Sequence, residues 1–396
     1  MTWPKVKLGD VCEIVSTINP ARAPQNETFS YIDIAAVNRD TKQIEASSTL
    51  CYANAPSRAR QSVKANDVLV STVRPNLNAV AKVSSEFDSA VASTGFTVLR
   101  AKQQSLCESW LFHWVKTSIF VDDMTDKAAG ASYPAVSDRI VKDSKIPLPP
   151  LAEQKRLAAI LDHADELRRA RRQSQRVLDE LAQSLFLELF GDLTQFKKTP
   201  FNDLVSSNKI SLVRSAKEVG PHLPVPYIRM NAITRNGELD LTTVFKTSAS
   251  EQEIKNYSLE KGDFLFNTRN SRELVGKTAL FDSAGTYVFN NNILRTRFKE
   301  SAIPTFVAAV FKTQQIQHEL EKRKSGTTNV FAVYYKDLAT IQIPLPPLSL
   351  QQQFAEQIEE LEAIKRHVRE SSTRLDALFA SLQARAFAGE LSGAKA

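Results

Sequence analysis

The stretch Ile146-Pro147-Leu148-Pro149-Pro150-Leu151 recurs as Ile343-Pro344-Leu345-Pro346-Pro347-Leu348, so the same six residues stand 197 positions apart. The same separation continues downstream, where Leu178-Asp179 matches Leu375-Asp376. A repeat that extends this far through a chain of 396 residues predicts two similar halves.

Each repeated hexapeptide opens a long segment without glycine or proline, residues 151–190 in the first copy and 348–387 in the second. Apolar residues recur there at alternating three- and four-residue spacings, a heptad pattern that predicts long helices. At 1.5 Å per residue each helix would be about 60 Å long, and its apolar stripe would be exposed without a partner. We expect the two copies to pair antiparallel, because a globular block separates them along the chain.

The expected pairing seam has a polar middle, since Ser174 in the first helix answers Ser371 in the second at the same heptad phase. Its apolar positions are predicted to be Leu157, Ile160, Ala164, Leu167, Leu178, Leu181 and Leu185 in the first helix, and Phe354, Leu361, Ile364, Val368, Leu375, Leu378 and Leu382 in the second. The arginines between positions 168 and 176 are typical either of a solvated helix face or of a DNA contact.

Residues 1–145 have the pattern of a mixed domain. Short β-branched and aromatic runs predict strands at Tyr31–Val37, Asp67–Val73 and Phe96–Leu99, and the spacing of aromatics predicts a helix at Ser109–Thr117. We expect His113 in that helix to pack in the core or at its rim and not to bind a metal. The prolines of the hexapeptide exclude a central strand, but they suit the end of an edge strand and the first turn of a helix.

The second block repeats the first at an offset of 196 residues, since Tyr31-Ile32 corresponds to Tyr227-Ile228 and Asp67 to Asp263. The expected fold is α+β (mixed): two similar globular α/β domains joined by two long antiparallel coiled-coil helices, in a dumbbell with pseudo-two-fold symmetry. The predicted boundaries are 1–145 and 194–342 for the domains and 146–193 and 343–391 for the helices.

The composition is that of a globular protein, with 42% hydrophobic and 24% charged residues. No apolar run approaches the roughly 20 residues of a membrane span and no signal peptide opens the chain, so we expect a cytoplasmic protein without membrane contact. Cys12, Cys51 and Cys107 form neither a disulfide nor a zinc pattern. The net charge of +7 at pH 7 indicates either an anionic partner or a solvated basic surface.

The sequence contains no recognisable catalytic motif. Val275-Gly276-Lys277-Thr278 resembles the end of a phosphate-binding loop, but Ser271 stands where that motif needs a glycine. With one deleted residue, Val275 and Lys277 align with Val80 and Lys82 of the first copy, and we therefore expect a strand. A dinucleotide-binding glycine loop, a metal motif and a nucleophile elbow are also missing from the sequence.

Two pairs of polar, basic loops recur at equivalent places, Ser71–Asn78 with Asn267–Arg272 and Gly130–Tyr133 with Lys322–Asn329. Arginine can bond a guanine edge and asparagine an adenine edge, while hydroxyls and lysines reach phosphates. The same residue types also suit ordinary turns. The candidate DNA-binding residues are Arg74, Asn76, Asn78, Ser132, Arg269, Asn270, Arg272, Lys324, Thr327, Thr328 and Asn329.

With these features the chain resembles the specificity subunit of a type I restriction-modification system. The resemblance rests on Ile146–Gln154 and its echo Ile343–Gln351, on the helices that follow them, and on strand signatures at Asn66–Leu69 and Gly262–Leu265. It covers essentially the whole chain.

The resemblance implies that each domain reads half of a split DNA site. It also implies that the paired helices act as a spacer and bind two modification subunits, with Gln154 and Gln351 at the docking surface. The partners would supply S-adenosylmethionine for adenine methylation, and restriction subunits would use ATP and Mg²⁺. This chain itself is then expected to be a non-catalytic subunit that binds double-stranded DNA and holds no cofactor or metal.

Two other classes of function remain open from the residues alone. One is a self-sufficient DNA-modifying or DNA-cleaving enzyme, which would need cofactor or metal motifs. The other is a coiled-coil scaffold without DNA function, which explains the helices but not the duplicated basic turns.

Overall fold

The computed structural model describes residues 3–242 and 244–391, which fold into two compact units. Unit 1 contains the residues up to Gln175 and those from Val368 onward, and unit 2 runs from Arg176 to His367. Each unit therefore holds one globular domain and part of each long helix.

The first domain is a mixed α+β domain, followed by the first long helix. Its strands are β1 (Lys5–Lys7), β2 (Cys12–Glu13), β3 (Thr28–Ile32), β4 (Val37–Asn38), β5 (Gln43–Ile44), β6 (Ser48–Cys51), β7 (Ala59–Ser62), β8 (Val68–Ser71), β9 (Val80–Lys82), β10 (Val91–Ser93), β11 (Phe96–Ala101) and β12 (Lys145–Pro147). Its helices are α1 (Leu8–Val11), α2 (Glu108–Val115), α3 (Ser118–Asp126) and α4 (Asp138–Asp143), and the long helix is α5 (Leu151–Phe190).

The second domain repeats this plan before the second long helix. Its strands are β13 (Lys198–Pro200), β14 (Val205–Ile210), β15 (Val225–Ile228), β16 (Phe245–Thr247), β17 (Phe264–Asn267), β18 (Arg269–Asn270), β19 (Thr278–Leu280), β20 (Val288–Phe289), β21 (Ile293–Phe298), β22 (Ser325–Gly326), β23 (Phe331–Ala332) and β24 (Gln342–Pro344). Its helices are α6 (Phe201–Leu204), α7 (Glu251–Tyr257), α8 (Pro304–Phe311), α9 (Gln314–Arg323) and α10 (Tyr335–Ala339), and the long helix is α11 (Leu348–Ala388).

Equivalent sheets form the centre of the two domains. The antiparallel order β2-β11-β8-β9 in the first corresponds to β14-β21-β17-β19 in the second. A parallel pair, β3 with β10 or β15 with β20, lies in the other main sheet of each domain. Each hexapeptide enters an edge strand, where Ile146 pairs with Val6 and Ile343 pairs with Thr199, and a long helix follows. The predicted mixed fold with two similar domains and two long helices is confirmed.

Each domain packs against the start of the helix that follows it and the end of the other helix. In unit 1 the rings of Trp110 and Phe387 lie 4.0 Å apart between centroids, in a core that includes Leu157. In unit 2 the ring of Phe306 in α8 lies 5.0 Å from that of Phe190 at the end of α5, in a core that includes Phe354 at the start of α11. Each buried aromatic contributes about 1.5–3 kcal/mol, so the domains stabilise the helix ends that contact them.

Within each unit the two helical segments run antiparallel, as predicted. In unit 1, Arg156 donates to the carbonyl of Leu391 at 2.6 Å, whereas Arg168, further along α5, bonds Asp376, which precedes Leu391 in the chain. In unit 2, Asp179 pairs with Lys365, and Phe186 contacts Phe354. Phe186 follows Asp179 along α5, whereas Phe354 precedes Lys365 along α11, so the two segments run in opposite directions.

The predicted heptad seam is correct only in part. The predicted positions that are buried are Leu157, Ala164, Phe354, Leu361 and Val368, and those that are half-buried are Leu178, Leu185, Leu375 and Leu382. The side chains of Ile160, Leu167, Leu181, Ile364 and Leu378 are 37 to 52% exposed. Leu167 and Leu375 nevertheless line one cavity of unit 1 together with Ser174 and Ser371, so these positions face the other helix without closing on it. The start of α5 is covered both by its domain and by the other helix. The buried face of α5 therefore includes Ala158 and Leu161 and is wider than a two-helix seam.

Two strand predictions need correction. The strand predicted at Tyr31–Val37 ends at Ile32, because the Asp33 carboxylate accepts the backbone N–H of Ile34 at 2.7 Å and starts a 3-10 turn. The strand predicted at Val275–Thr278 begins only at Thr278, since Gly276 adopts a left-handed turn conformation with φ of +93°.

The register of the sheets also corrects the alignment between these segments. Val80 pairs with Val70 in the first domain, and Thr278 pairs with Phe266, the counterpart of Val70, in the second. Thr278 is therefore the equivalent of Val80. The loop between β17 and β19 is two residues longer than the loop between β8 and β9, whereas the sequence alignment predicted that it is one residue shorter.

Candidate DNA interface

The two candidate loops of the first domain form one surface beyond the end of β8. Val136 donates its backbone N–H to the carbonyl of Thr72 at 2.9 Å, and Arg74 donates its own to Pro134 at 2.7 Å. Val73 and Ala135 form an antiparallel bridge between these bonds. The loops around residues 71–78 and 129–136, which are far apart in sequence, are thus fixed to each other by the backbone.

The first of these loops has an uncommon backbone. Arg74 and Asn78 adopt the left-handed conformation, with φ of +49° and +44°, on either side of a 3-10 turn at Pro75–Leu77. This conformation is unfavourable for residues with a side chain, by about 1–2 kcal/mol each, so the surrounding bonds must hold it. The turn places the side chains of Arg74 and Asn76 in solvent.

Asn78 is placed differently from Arg74 and Asn76. Its side chain is half-buried, and its Oδ1 atom has no hydrogen-bond partner among residues 3–242 and 244–391. Its carbonyl accepts a bond from the Lys42 amine at 2.5 Å. Burial of that amine, with a further contribution from the charge of Lys116, lowers the pKa of Lys42 to about 8. Asn78 thus joins the loop to the hairpin of β4 and β5.

An aromatic side chain that the sequence analysis did not select lies beside Arg74. The guanidinium carbon of Arg74 lies 4.5 Å from the centre of the Tyr133 ring, and its Nη2 atom lies 3.5 Å from the carbonyl of Ser132. Tyr133 is 69% exposed, and Ser132 is also exposed. The available signal was the position of Tyr133 directly after the predicted Ser132, within a candidate loop.

In the second domain a small sheet joins the equivalent loops. β18 pairs with β23, and β23 pairs with β22, which brings Arg269 and Asn270 next to the loop at residues 327–330. Val333 donates to the carbonyl of Thr268 at 3.0 Å, as Val136 does to Thr72 in the first domain. The candidate loops therefore meet in both domains.

Most candidate side chains of this second surface are accessible. Arg269, Thr327, Thr328 and Asn329 are exposed, and Asn270 is half-buried, with its Oδ1 atom accepting the backbone N–H of Ser271 at 2.9 Å. The Arg269 guanidinium forms no ion pair within the described part of the chain. This surface offers one free cation and several neutral hydrogen-bonding groups.

Two further candidates, Arg272 and Lys324, are already paired with a carboxylate. Glu321 accepts the Arg272 Nε at 2.8 Å and lies 2.7 Å from the Lys324 amine. Hydrogen bonds from Lys324 and Arg272 lower the pKa of Glu321, so the carboxylate stays charged. The sequence analysis did not pair Glu321 with these cations, although its position three residues before Lys324 at the end of a helix was a signal.

Gln154 and Gln351 correct the docking prediction, because both side chains are fully buried within their own units. Gln154 donates to the carbonyls of Pro149 at 2.8 Å and Ser105 at 2.9 Å, and it accepts the N–H of Cys107 at 2.9 Å. The amide thus fixes the first turn of α5 to the loop before α2, and a partner subunit has no access to it.

Gln351 makes the same three bonds in the second domain. It donates to Pro346 at 2.9 Å and Ser301 at 3.2 Å, and it accepts the N–H of Ile303 at 2.9 Å. A buried amide with all its groups bonded is strongly specified by its surroundings. The repeated glutamine therefore has a structural role in each domain.

His113 is fully buried, as expected for a core histidine. Its Nε2 atom lies 2.8 Å from the Asp162 carboxylate of α5, and burial lowers the pKa of the imidazole despite this neighbour. Lys277, from the segment that resembles a phosphate-binding loop, donates its amine to the backbone carbonyls of Ile233 and Met230. This lysine is engaged by the protein itself.

No group of three or more His, Cys, Asp or Glu side chains in residues 3–242 and 244–391 is placed to hold a metal ion. In the same residues, no helix combines the length and the apolar composition that a membrane crossing requires.

The profile of the family described as type I restriction modification DNA specificity domain matches residues 1–176 and again residues 196–371. The chain belongs to this family. Each match covers one domain together with more than half of the long helix that follows it, in agreement with the duplicated fold.

Similar proteins agree with this family assignment. The EcoKI specificity subunit of Escherichia coli K12 is 23% identical over 355 residues, which cover 84% of this chain and 76% of that protein. One solved structure, which was used to describe complex assembly and conformational transition of the type I R-M system, contains a chain that is 26% identical to this one. The match covers 98% of both chains, with a TM-score of 0.56. The type I S subunit of M. genitalium, at 12% identity, 98% and 96% coverage and a TM-score of 0.59, has a similar fold.

Proposed function

We propose that this chain is the DNA specificity subunit of a type I restriction-modification complex and that each domain reads one half of a bipartite, asymmetric DNA site. The observation that carries this proposal is the double family match, which covers residues 1–176 and 196–371. Each matched segment contains one surface on which two loops with exposed polar side chains are joined by backbone bonds.

We assign residues 1–145 and 194–342 to the two target recognition domains. Basic side chains provide salt-dependent attraction to the DNA backbone by releasing counterions. In the first domain the exposed candidates for base contacts are Arg74 and Asn76, and in the second they are Arg269 and Asn329, with Asn270 half-buried beside them. A good bidentate contact discriminates between bases by about 1–3 kcal/mol.

We assign the long helices, residues 146–193 and 343–391, to the spacer and to the docking of partner subunits. Exposed apolar side chains at Leu167, Leu181 and Leu378 support docking, because they offer apolar area that a partner can bury. The proposed partners are two modification subunits that methylate adenine and restriction subunits that translocate and cut DNA. S-adenosylmethionine, ATP and Mg²⁺ would be bound by those partners in the cytoplasm, and this chain would be the non-catalytic component.

The proposal is tested by exchanging one domain. Residues 1–145 are replaced by the corresponding domain of a family member that recognises a different site, and the chimera is produced with a modification subunit that the parent chain binds. Mapping of methylated adenines in the host genome should show one changed half-site and one unchanged half-site. The reciprocal exchange of residues 194–342 should change only the other half.

Other outcomes would favour the alternative functions. Methylation or cleavage by the purified chain alone would indicate a self-sufficient enzyme. A complex with modification subunits that binds no duplex at any salt concentration would indicate a scaffold without DNA function. A single exchange that changes both half-sites would contradict the assignment of one domain to each half.

A further inference from the structure

The two DNA-facing surfaces differ in how an arginine is held. In the first domain the Arg74 guanidinium lies against the exposed Tyr133 ring, and no carboxylate of residues 3–242 or 244–391 pairs with it. In the second domain Arg272 is bound to Glu321. The first domain therefore presents a free guanidinium whose position is set by an aromatic ring.

The position of Arg74 is fixed from the backbone outward. Its left-handed conformation is maintained by the bond from its N–H to the Pro134 carbonyl at 2.7 Å and by the bridge between Val73 and Ala135. The partner residues of these bonds lie in the segment that carries Tyr133. The backbone that orients Arg74 thus also sets the distance between its guanidinium and the ring.

This arrangement leaves the donors of the guanidinium available. Arginine has five N–H donors in a planar fork, and a stacked ring covers a face of the group without using those donors. One intramolecular contact, from Nη2 to the Ser132 carbonyl, is long at 3.5 Å. A planar fork with free donors matches the O6 and N7 acceptors of guanine in the major groove.

The second domain lacks this pair at the equivalent positions. Arg269 pairs with Ala332 in the second domain as Val73 pairs with Ala135 in the first. The residue after Arg269, Asn270, is therefore the counterpart of Arg74. Val330, two residues before Ala332, is the counterpart of Tyr133. An asparagine beside a valine cannot form a guanidinium–aromatic contact. The second domain has a different arrangement, in which the guanidinium carbon of Arg272 lies 5.6 Å from the centre of the Phe331 ring and Glu321 already binds the guanidinium.

We propose that Tyr133 is a specificity-determining positioning residue, which orients Arg74 toward one guanine in the half-site read by the first domain. The proposal rests on the proposed function, since it concerns the same DNA surface. It requires that loss of the ring relaxes recognition at the base pair contacted by Arg74 and at no other.

The test uses the full chain with its modification subunits and a set of duplexes in which each base pair of both half-sites is replaced in turn. Arg74→Ala should reduce discrimination at one guanine by roughly 5- to 150-fold, and Tyr133→Ala should reduce it at the same guanine by a smaller factor. Tyr133→Phe keeps the ring and should retain the wild-type preference. Arg74→Lys should relax that position while retaining the salt dependence of binding, because the charge remains but the fork is lost.

A second tyrosine provides the matched control. Tyr334 is exposed in the second domain, close in sequence to the loop at residues 327–330, and Tyr334→Ala should leave the first half-site unchanged. Tyr133 is largely exposed, so we expect its variants to fold, and thermal unfolding checks this. Failure of the Tyr133→Ala protein to fold would overturn the positioning role in favour of a structural one.

Three further results would overturn the inference. They are an equal loss of affinity for all duplexes in Tyr133→Ala, relaxation at a base pair different from that affected by Arg74→Ala, and loss of the preference in Tyr133→Phe. A wild-type complex without any sequence preference would instead contradict the proposed function, so the two failures are distinguishable.

Discussion

The Nε atom of Arg168 lies 2.6 Å from the Asp376 carboxylate within unit 1. At the repeat offset of 197 residues, the equivalent of Arg168 is Lys365 and the equivalent of Asp376 is Asp179, and these two form an ion pair at 2.8 Å within unit 2. The same antiparallel contact is therefore made twice, with a cation from the first half of each helix and an anion from the second half of the other. This reciprocity explains why Asp179 and Asp376 recur with the surrounding leucines.

The two pairs should contribute similar coupling energies. A double-mutant cycle with Arg168→Ala and Asp376→Ala, followed by urea unfolding, should give about 1 kcal/mol, because both pairs are only partly buried. The Lys365 and Asp179 cycle should agree within about 0.5 kcal/mol. The exposed pair of Lys127 and Asp123 serves as the control, at about 0.3–0.5 kcal/mol. Coupling in one unit but not in the other would refute the equivalence of the two contacts.

Replacing either buried glutamine should destabilise the unit that contains it. Gln154→Leu or Gln351→Leu removes three hydrogen bonds and leaves buried carbonyls and an N–H without partners, so we expect a loss of about 2–4 kcal/mol in the free energy of unfolding. Gln173 is exposed on α5, and Gln173→Leu should change stability by less than about 0.5 kcal/mol. Chemical denaturation measures all three variants. Unchanged stability together with loss of partner binding would restore the docking role.

Neutralising Glu321 should strengthen non-specific DNA binding. Glu321→Gln frees Arg272 and Lys324 for phosphates, and each new phosphate contact should steepen the plot of log K against log salt by about 0.9. Fluorescence anisotropy with a duplex of arbitrary sequence, over a range of salt concentrations, measures this slope. Glu300→Gln makes the same change of charge at an exposed carboxylate without an ion pair in the described residues. Equal effects of both substitutions would show that net charge alone is responsible.

The stability of unit 1 should depend on the ionisation of Asp165. Burial by itself would raise the pKa of this carboxyl, but Lys116, Arg169 and Arg168 surround it at 3.1, 3.0 and 2.9 Å and lower its pKa to about 2. Burial lowers the pKa of the Lys116 ammonium more than Asp165 raises it, so we assign the pH dependence to the carboxyl.

The pKa of Asp165 is lower in the folded state than its ordinary value of 3.8. Its stabilising contribution is therefore fully present above that value and is lost as the pH falls toward 2. Asp165→Asn should cost about 2 kcal/mol at pH 7. Urea unfolding between pH 7 and pH 3 should show this difference from the wild type becoming smaller below about pH 4. A difference that is the same at all pH values would indicate lost packing only.

Shortening both long helices together should change the spacing of the DNA site. Deletion of residues 171–177 and of the equivalent residues 368–374 shortens each helix by about 10 Å, which corresponds to about three base pairs. Methylation mapping should show a shorter spacer between unchanged half-sites. Deletion of residues 171–177 alone is the control, because it shifts one helix against the other and should destabilise the protein. Altered half-sites with an unaltered spacer would contradict the spacer role.

Local patterns in the sequence were sufficient for the framework of the protein. The helix predicted for residues 151–190 is observed at Leu151–Phe190, and the one predicted for residues 348–387 is observed at Leu348–Ala388. Proline is excluded from the inner strands of a sheet and favoured at the start of a helix because its backbone has no N–H and a fixed φ. The heptad spacing of apolar residues follows from the period of the helix itself. The repeat then predicted the duplicated domains.

Only the tertiary structure decided which faces and loops meet. The heptad pattern could not predict how closely each position is covered, since Leu167 faces the other helix but is 45% exposed, whereas Leu161, which the pattern did not select, is fully buried. Arg74 and Tyr133 are 59 residues apart in sequence, and their contact depends on backbone bonds between two loops. Glu321 became visible as the partner of Arg272 for the same reason. Contacts between distant segments depend on the packing of the whole domain, which local propensity and spacing do not contain.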